Sequence, residues 1–502
     1  MKKEKNKRSF KERIKGIGVT INNELIVDKL NKAEWIALTV ISTLIFLTLF
    51  YMDNIAINLV YFWDVQQIFS LSGLQWLGNN RLAYGMVQQT FCHIWSLPVN
   101  IAFTIHEFMI ANTITILWYK SGMVLILGFS VSEIIKIAKI LGIEAERIKW
   151  LTIIFLSSVL VVLPVFHISQ TDILCAYMLL IALRHALNKN KKRFLLFSAL
   201  AVSCKLMALI AFIPLLLLME KDIIKVAVDG ILVAAIYPLE NIWYRLVSLL
   251  ENAIWGNKAV AQTVEAVQTA VAEEPQNERG MADFINHFYN KALYFEFPAI
   301  RKGYMASAMV FLLVLLCIWC YGQKKDDDKH KYVYAMAMLW LIFFSYASPS
   351  PYWIVILYPF LAILIFMKPE CIRFNLILYN AYTLLMFLVY VVNTHWVYGG
   401  PANLDYLLLK GILPPGHIST AEEGPYVARY LNNLHIDKFM NVITAACLAA
   451  AVGLVVVNYR KVKIDEELSP EEERKLMHGF VIFQIAFLWL WYAFSVYAVT
   501  RW

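Results

Sequence analysis

Long blocks of apolar residues recur along the whole chain, and their length limits what it can fold into. Most of the blocks run for roughly 17 to 25 residues, the length that an α-helix needs to cross about 30 Å of hydrocarbon. Charged residues make up 16% of the chain, whereas a soluble domain carries about a quarter. So few charges could not cover a soluble surface. The sequence therefore predicts an all-α integral membrane protein with many spans.

The ends of the apolar blocks and the flanking charges define about thirteen predicted transmembrane helices. Two of them form a short pair, in which each member is too brief to cross comfortably alone. The predicted spans are 35–51, 111–136, 151–166, 173–187, 194–204, 206–218, 223–237, 304–319, 332–346, 353–366, 375–392, 439–457 and 480–499.

Lysine and arginine residues are concentrated in alternate connections, which predicts the orientation. The first 32 residues hold ten of them, whereas 53–110 holds only Arg81, so the N-terminus is predicted to be cytoplasmic. Counting spans from there places every strongly basic loop on the cytoplasmic side. These loops are 136–149, 184–193, 221–225, 324–331, 368–373 and 460–475.

The remaining long connections divide the chain. We expect a basic cytoplasmic tail over 1–33 and a transmembrane module over 34–393 with outer segments 53–110 and 241–302, followed by an outer loop and two last spans over 394–502. The first outer segment is semi-apolar and aromatic, which predicts interfacial helices. The second is more polar and is predicted to be a lid or loop over the bundle.

Charge and cysteine content indicate the partners. The net charge of +8 is explained by the N-terminal tail and the cytoplasmic loops, which face anionic membrane lipids, and nucleic acid is not expected. No Cys/His cluster with zinc spacing is present, and the run Asp326–Asp327–Asp328 lies among lysines as a solvated charge run. We expect no cofactor, although the sequence does not exclude a divalent metal. Cys317 and Cys320 are interpreted as packing residues of an apolar helix.

Two aspartates in the first outer segment stand out, because an ionisable group at the membrane margin is costly unless it is paired or used. Asp64 follows Tyr61-Phe62-Trp63, and Asp53 lies eleven residues earlier at the exit of the first span. Either carboxylate could instead cap an interfacial helix. That structural alternative is stronger for Asp53 than for Asp64.

A second polar group lies in the outer turn from His167 to Asp172, which includes Gln170. Thr171 or Asp172 could serve there only as the N-cap of the next span. Lys205, at the outer junction of the short pair, lies among apolar residues. An unpaired ammonium would be expensive there, so we expect an anionic partner or ligand close to it.

The order of these features resembles the GT-C class of membrane glycosyltransferases, in particular its bacterial mannosyltransferase-like members. The likeness covers roughly 35–366 and rests on an acidic interfacial segment, an outer Gln-x-Asp turn, and a short pair of helices with Lys205 followed by Ile213-Pro214-Leu215. It implies a GT-C-like fold and a polyprenyl-phosphate-linked sugar donor. The acceptor would be a glycan, lipid or polymer at the outer face of the cell membrane.

The resemblance also implies roles for individual residues. It makes Asp64 the general base, with Asp53 the alternative, and places Lys205 at the donor phosphate. Gln170 and Asp172, with His167 beside them, match the substrate-binding turn, although Ser169 replaces the usual glycine. The later outer turn, 348–353, lacks the basic residue or histidine that relatives often carry, which leaves its role open.

The chemistry agrees with these residue types. Glycosyl transfer needs a base to take the acceptor's hydroxyl proton and a cation to stabilise the leaving phosphate. No glycine-rich phosphate loop competes for a nucleotide-sugar donor.

Two other classes remain open. A lipid-linked oligosaccharide flippase or transporter would have a similar number of spans, but such proteins commonly show internal repeats and helices broken near the midplane. A polysaccharide polymerase or ligase would share donor and membrane, with functional residues such as Arg245, Arg279 and His287 in its large outer loop.

Topology gives the first testable prediction. Cysteines introduced at Asn190 and Asp327 should be reached by an impermeant thiol reagent only from the cytoplasmic side, and one at Trp502 only from outside. Labelling of position 190 or 327 from outside would contradict the span count.

Overall fold

The structure, a computed structural model, describes most of 85–95 and then the following ranges. They are 113–255 apart from Ser169, 302–346 apart from 325–327, 351–393, 433–460, and 468–501, with a few isolated positions besides. The regular elements within these ranges are all helical. The fold is therefore all-α over the described part of the chain, as predicted.

Fourteen α-helices after residue 112 carry labels here, α1 to α14 in chain order. They are α1 Thr113–Ile140, α2 Ala145–Ser157, α3 Val159–Val162, α4 Asp172–Leu187, α5 Lys191–Cys204, α6 Ala208–Met219, α7 Ile223–Ala234, α8 Ile236–Trp255, α9 Lys302–Gly322, α10 His330–Tyr346, α11 Tyr358–Phe366, α12 Ile372–Asn393, α13 Met440–Val457 and α14 Pro470–Arg501. A π-helical turn, Leu163–His167, follows α3, and a 3-10 helix, Pro351–Ile356, precedes α11.

The boundaries agree with most of the described predicted spans and differ at four of them, 151–166, 223–237, 353–366 and 480–499. The span predicted over 353–366 is a 3-10 helix followed by α11, and the one predicted over 480–499 begins earlier, at Pro470. The short pair is confirmed as two separate helices, α5 and α6, with Lys205 between them. The predicted span 223–237 is divided into α7 and α8, and α8 continues to Trp255. The beginning of the segment predicted to be a lid or loop is therefore a regular helix. The predicted first span is described only at isolated positions.

Two helices of the described chain are long and apolar enough by themselves to cross a membrane, Pro369–Val392 and Met440–Val457. A third such span results if the bent pair Ala145–Ser157 and Val159–Phe166 is counted as one. Shorter apolar helices accompany them at Ala208–Met219, Ala308–Gly322 and Pro351–Phe366. The count of about thirteen spans stays a prediction.

The bent pair differs from the single straight helix expected over 151–166. Its two halves meet at 63°, and Ser158 between them has extended backbone angles, φ −65 and ψ 128. Pro164 then lies in the π-helical turn, where the backbone N–H of Ile168 donates to the carbonyl of Leu163 at 3.0 Å. Proline cannot donate to the ladder, so the widened turn follows from its position.

Polar side chains link this break to neighbouring helices inside the bundle. Ser157 donates to Gln484 of α14, and the Gln484 amide donates to Asn380 of α12 at 2.9 Å. Close by along α12, Thr383 accepts from the Tyr358 hydroxyl at 2.9 Å. Polar groups buried among apolar helices need such partners. The network therefore fixes α2, α12 and α14 relative to one another.

The described parts of the predicted cytoplasmic loops lie together at one end of the bundle, which we call the basic end. Arg147 of α2 forms a two-pronged ion pair with Glu473 of α14 at 2.8 and 2.9 Å. Arg184 reaches Glu133 at 2.5 Å, and Arg460 reaches Asp328 at 2.5 Å. Asp328 therefore has a specific partner, unlike the freely solvated residue expected from the charge run.

Lysines at the basic end also bind the carbonyl ends of helices. Lys368 donates to the carbonyls of Val457, Tyr459 and Val462 at 2.8 to 3.2 Å, where α13 ends. Lys221 donates in the same way to Cys320 and Tyr321 at the end of α9. A helix leaves its last carbonyls without intrahelical partners and carries partial negative charge there. The ammonium groups donate hydrogen bonds to these carbonyls and offset their partial negative charge.

Helices α7 and α8 have the reverse of a soluble protein's polarity. Ile224 and Ile231 of α7 are 72% and 70% exposed, whereas Asp229 of the same helix is 9% exposed and pairs with Lys191 at 2.6 Å. On α8, Leu249 is exposed and Glu240 is buried. The outer face is mostly apolar, although Arg245 of α8 is also exposed, and the carboxylates of Asp229 and Glu240 point inward, as in helices that face lipid.

Replacing Lys368 tests whether these caps stabilise the fold. Lys368→Met should lower the free energy of unfolding by about 1.5–3 kcal/mol, because carbonyls bound to a buried ammonium lose a charged donor. Lys225→Met is the matched control, since the Lys225–Asp222 pair is 63% and 43% exposed, and should change it by less than about 0.5 kcal/mol. Unfolding curves in detergent measure the change. Equal losses of unfolding free energy in the two variants would contradict a stabilising role for the Lys368 contacts.

Candidate functional site

Lys205 lies where α5 ends and α6 has not yet begun, at the end of the bundle opposite the basic end. Its backbone is extended, and its N–H still donates to the carbonyl of Ala201 at 2.9 Å. Its own carbonyl accepts from Ala208 at 2.9 Å, which starts the next helix. The turn between α5 and α6 therefore directs a lysine into the bundle, and its side chain is 8% exposed.

The ammonium of Lys205 has two close contacts. Nζ lies 2.6 Å from Oδ1 of Asp172, which is fully buried at the start of α4. It also lies 3.7 Å from the ring centroid of Trp353 in the 3-10 helix. The carboxylate and the electron-rich ring face both favour a cation. The anionic partner expected beside Lys205 is thus confirmed, and it is Asp172.

The turn before α4 is buried with this ion pair. Gln170 is 1% exposed, and its backbone N–H donates to the carbonyl of Pro164 at 3.0 Å. Thr171 occupies the N-cap position of α4, but its side chain makes no capping hydrogen bond. Its hydroxyl instead accepts from Gln88, and Asp172 is engaged by Lys205. A role only as helix caps does not account for these two side chains.

A second set of contacts joins residues 85–88 to the same end of the bundle. The backbone N–H of Val87 donates to the hydroxyl of Ser203 at 3.1 Å, and that hydroxyl donates to the carboxylate of Glu240. The backbone N–H of Met86 also donates to Glu240. Ser203 lies two residues before Lys205, so both sets of contacts share the last turn of α5.

The structure brings together some of the predicted site residues. Asp172, Gln170 and Lys205 lie at one end of the bundle, and His167 lies in the adjoining π-helical turn. Asp64 and Asp53 lie outside the described residues. Their roles as base and alternative base therefore stay predictions.

Four residues of this end were not found from the sequence. Trp353 is in the turn where a basic residue or histidine was sought, and it reaches Lys205 with its ring face instead. Gln88, Ser203 and Glu240 were not singled out either. Glu240 carries a signal that could have found it, because it is a carboxylate in the otherwise apolar first turn of α8, Ile236-Tyr237-Pro238-Leu239. Serine and glutamine at helix ends carry no such signal.

No group of three or more His, Cys, Asp or Glu side chains suited to a metal occurs within the described ranges. The polar atoms around Lys205 are an ammonium, carboxylates, hydroxyls and amides. Such a set can bind an anion and transfer protons.

No protein-family model, no curated protein and no solved structure matches the chain.

Proposed function

We propose that the chain is a multi-pass membrane glycosyltransferase of GT-C type, which moves a sugar from a polyprenyl-phosphate-linked donor to an acceptor at the outer face of the cell membrane. The observation that carries the proposal is the buried Lys205 beside Asp172 and Trp353. A cation buried among apolar helices is expensive and is kept where it is used.

The surface of the bundle supports a membrane location. Helices α7 and α8 present apolar residues outward, and so does α9, where Phe311 and Ile318 are each 61% exposed. Many large apolar side chains exposed along one helix mark a contact with lipid or protein. The inward direction of Asp229 and Glu240 fits lipid better, because carboxylates of membrane helices turn toward the bundle interior.

The distribution of charge supports the proposed side of the membrane. Basic loops remain on the cytoplasmic side during insertion, and these loops lie together at the basic end. Lys205, Asp172 and Trp353 lie at the other end, which would be the outer face. A lipid-linked donor would bring its phosphate to that depth.

The chemistry of transfer fits a lysine held in this way. The bond between the sugar's anomeric carbon and the phosphate oxygen breaks, and the phosphate leaves with the electron pair and a second negative charge. The acceptor oxygen bonds to the anomeric carbon and gives its proton to Asp64. Because the charge on the phosphate grows during the reaction, a fixed ammonium stabilises the transition state more than the bound donor.

Asp172 and Trp353 would then prepare Lys205 for the donor. Asp172 keeps the ammonium charged and oriented before the donor binds, as a buried ion pair requires. The indole N–H of Trp353 has no hydrogen-bond acceptor within the described residues, so it can donate to the same phosphate. The later outer turn, whose role the sequence left open, thereby contributes to the proposed site.

A specific observation favours a transporter as the second candidate. The bend at Ser158 and the polar network beside it are features of helices that surround a substrate path. Reconstituted liposomes distinguish the two candidates. An enzyme forms a glycosylated product from donor and acceptor on one side, whereas a flippase moves the lipid-linked sugar across the membrane without making a new bond. The polymerase or ligase alternative would show product growth or transfer of a whole chain in the same assay.

Replacing Lys205 tests the phosphate contact. Lys205→Met should weaken binding of a polyprenyl-phosphate sugar by about ten- to hundredfold, the loss expected for one charged hydrogen bond. It also leaves Asp172 buried without its partner, which destabilises the fold by about 3–5 kcal/mol. The pair of substitutions Lys205→Met and Asp172→Asn removes both charges and separates these effects. The double variant should regain stability and still bind donor poorly, and donor affinity at the level of the unmodified protein would reject the phosphate role.

Replacing Asp64 tests the proposed base. Asp64 follows Tyr61, Phe62 and Trp63 in the sequence. A carboxylate that such an apolar aromatic setting desolvates is a better base than a free aspartate. Asp64→Asn keeps the size but cannot accept a proton, so transfer should fall about a hundredfold or more while donor binding is retained. Asp53→Asn is the matched control. If only Asp53→Asn abolishes transfer, Asp53 is the base, and if both variants transfer sugar normally the enzyme proposal fails.

A further inference from the structure

Glu240 is a buried carboxylate that the proposed reaction does not use. It lies in the first turns of α8, where it is 6% exposed, whereas its neighbour Leu239 is 57% exposed. The helix thus turns its charged residue inward and its apolar residue outward. The free-energy cost of burying a carboxylate is high unless it is hydrogen bonded.

The partners of Glu240 come from two other parts of the chain. Its Oε1 accepts from the hydroxyl of Ser203, in the last turn of α5, and the carboxylate also accepts from the backbone N–H of Met86. Ser203 in turn accepts from the backbone N–H of Val87 at 3.1 Å. Glu240 and Ser203 together therefore satisfy two successive backbone donors at the start of the helical segment 86–92.

Gly85 shows how closely this segment approaches α5. A Cβ added to Gly85 would lie 1.4 Å from the carbonyl oxygen of Ser203 and 3.5 Å from Oε2 of Glu240. A separation of 1.4 Å is far inside van der Waals contact, so only glycine fits here. One turn further along, the Gln88 amide donates to Thr171, the residue before Asp172.

We propose that Glu240 is a positioning residue, which together with Ser203 holds the helical segment 86–92 against the Lys205 site. Part of this inference rests on the proposed function, because the segment belongs to the first outer segment that carries Asp64. The placement of the segment itself depends on the contacts of Gly85, Met86, Val87 and Gln88 and not on any substrate. Glu240 acts through that segment and does not touch substrate.

The geometry explains why a carboxylate is used. Both partners of Glu240 are donors, and a carboxylate is an acceptor at both oxygens. A glutamine at this position would direct an N–H group toward one of the donors, and alanine would leave both without an acceptor. The strength of the contact should therefore fall in the order Glu, Gln, Ala.

Cys92 reports the placement without added labels. It lies at the end of the same segment, is 2% exposed and is a free thiol. Cys447 of α13 is a free thiol that is 4% exposed, and it reports unfolding of the bundle as a whole. Maleimide labelling of the purified full chain, followed by mass spectrometry of the two peptides, measures both in one sample.

Glu240→Ala should raise the labelling rate of Cys92 by about tenfold or more, as local opening exposes the segment, with Cys447 unchanged. Glu240→Gln should give a smaller increase. Asp229→Asn is the matched control, because Asp229 is the other inward carboxylate of the α7–α8 pair but binds Lys191 at the basic end. It should leave Cys92 protected. Gly85→Ala should also expose Cys92, because the added methyl group pushes the segment away from Ser203.

Unchanged Cys92 labelling in Glu240→Ala would overturn the proposal. If Cys447 labelling also rises in Glu240→Ala, the bundle as a whole has been destabilised, and Ser203→Ala decides the question. That variant removes the hydrogen bond between Ser203 and Glu240 without removing a buried charge. Exposure of Cys92 alone in that variant supports the proposal, and protection of Cys92 overturns it.

A transfer assay then tests the part that rests on the proposed function. Glu240→Ala should lower the transfer rate by about tenfold or more with unchanged donor affinity, the pattern of a misplaced catalytic segment. Glu240→Gln should restore part of the rate. Glu240→Ala can expose Cys92 even if neither the unmodified protein nor any variant transfers sugar. In that case the positioning role stands and the glycosyltransferase proposal fails.

Discussion

The ion pair between Lys205 and Asp172 is the contact on which the arrangement of the candidate site depends. An unpaired lysine between two apolar helices would destabilise their packing, because a buried charge without a partner costs several kcal/mol. Asp172 at the start of α4 and Trp353 before α11 supply that partnership from two other parts of the chain. One buried charge therefore fixes where three helices converge, and the hydrogen bonds of residues 85–88 add a fourth segment.

The same constraint accounts for the rest of the charged interior. Asp229 reaches Lys191, Glu133 reaches Arg184, and Lys368 reaches the carbonyl end of α13. Each of these groups is buried or half-buried and is satisfied by a group from another helix. Apolar packing alone is poorly specific among helices of such similar composition. Directional contacts at the helix ends can select one arrangement from many.

The sequence predicted the parts of the structure that depend on composition along one helix. The ends of α4 and α10 lie within two residues of the predicted spans, because apolar runs and flanking charges are local signals. The need for an anion near Lys205 was also local. The identity of that anion, the ring of Trp353 and the bond from Ser203 to Glu240 join residues far apart in the chain. Such pairings depend on how helices pack and leave no trace in a single sequence. The break at Ser158 was missed for another reason, since the apolar runs on the two sides of Ser157 and Ser158 add up to the length of one span.

The lysines that bind helix ends change what the basic end presents to its surroundings. A count of positive residues treats every loop lysine as a free charge, but the ammonium of Lys221 is surrounded by the carbonyls of Leu217, Cys320 and Tyr321, and that of Lys368 by three others. These donors are already committed inside the protein. The partial negative charge of the helix ends offsets part of each ammonium's charge, so these two lysines add less to the surface potential than the sequence implies. Anionic lipid head groups would gather around the remaining exposed arginines and lysines of the basic end rather than spread evenly over all the loops.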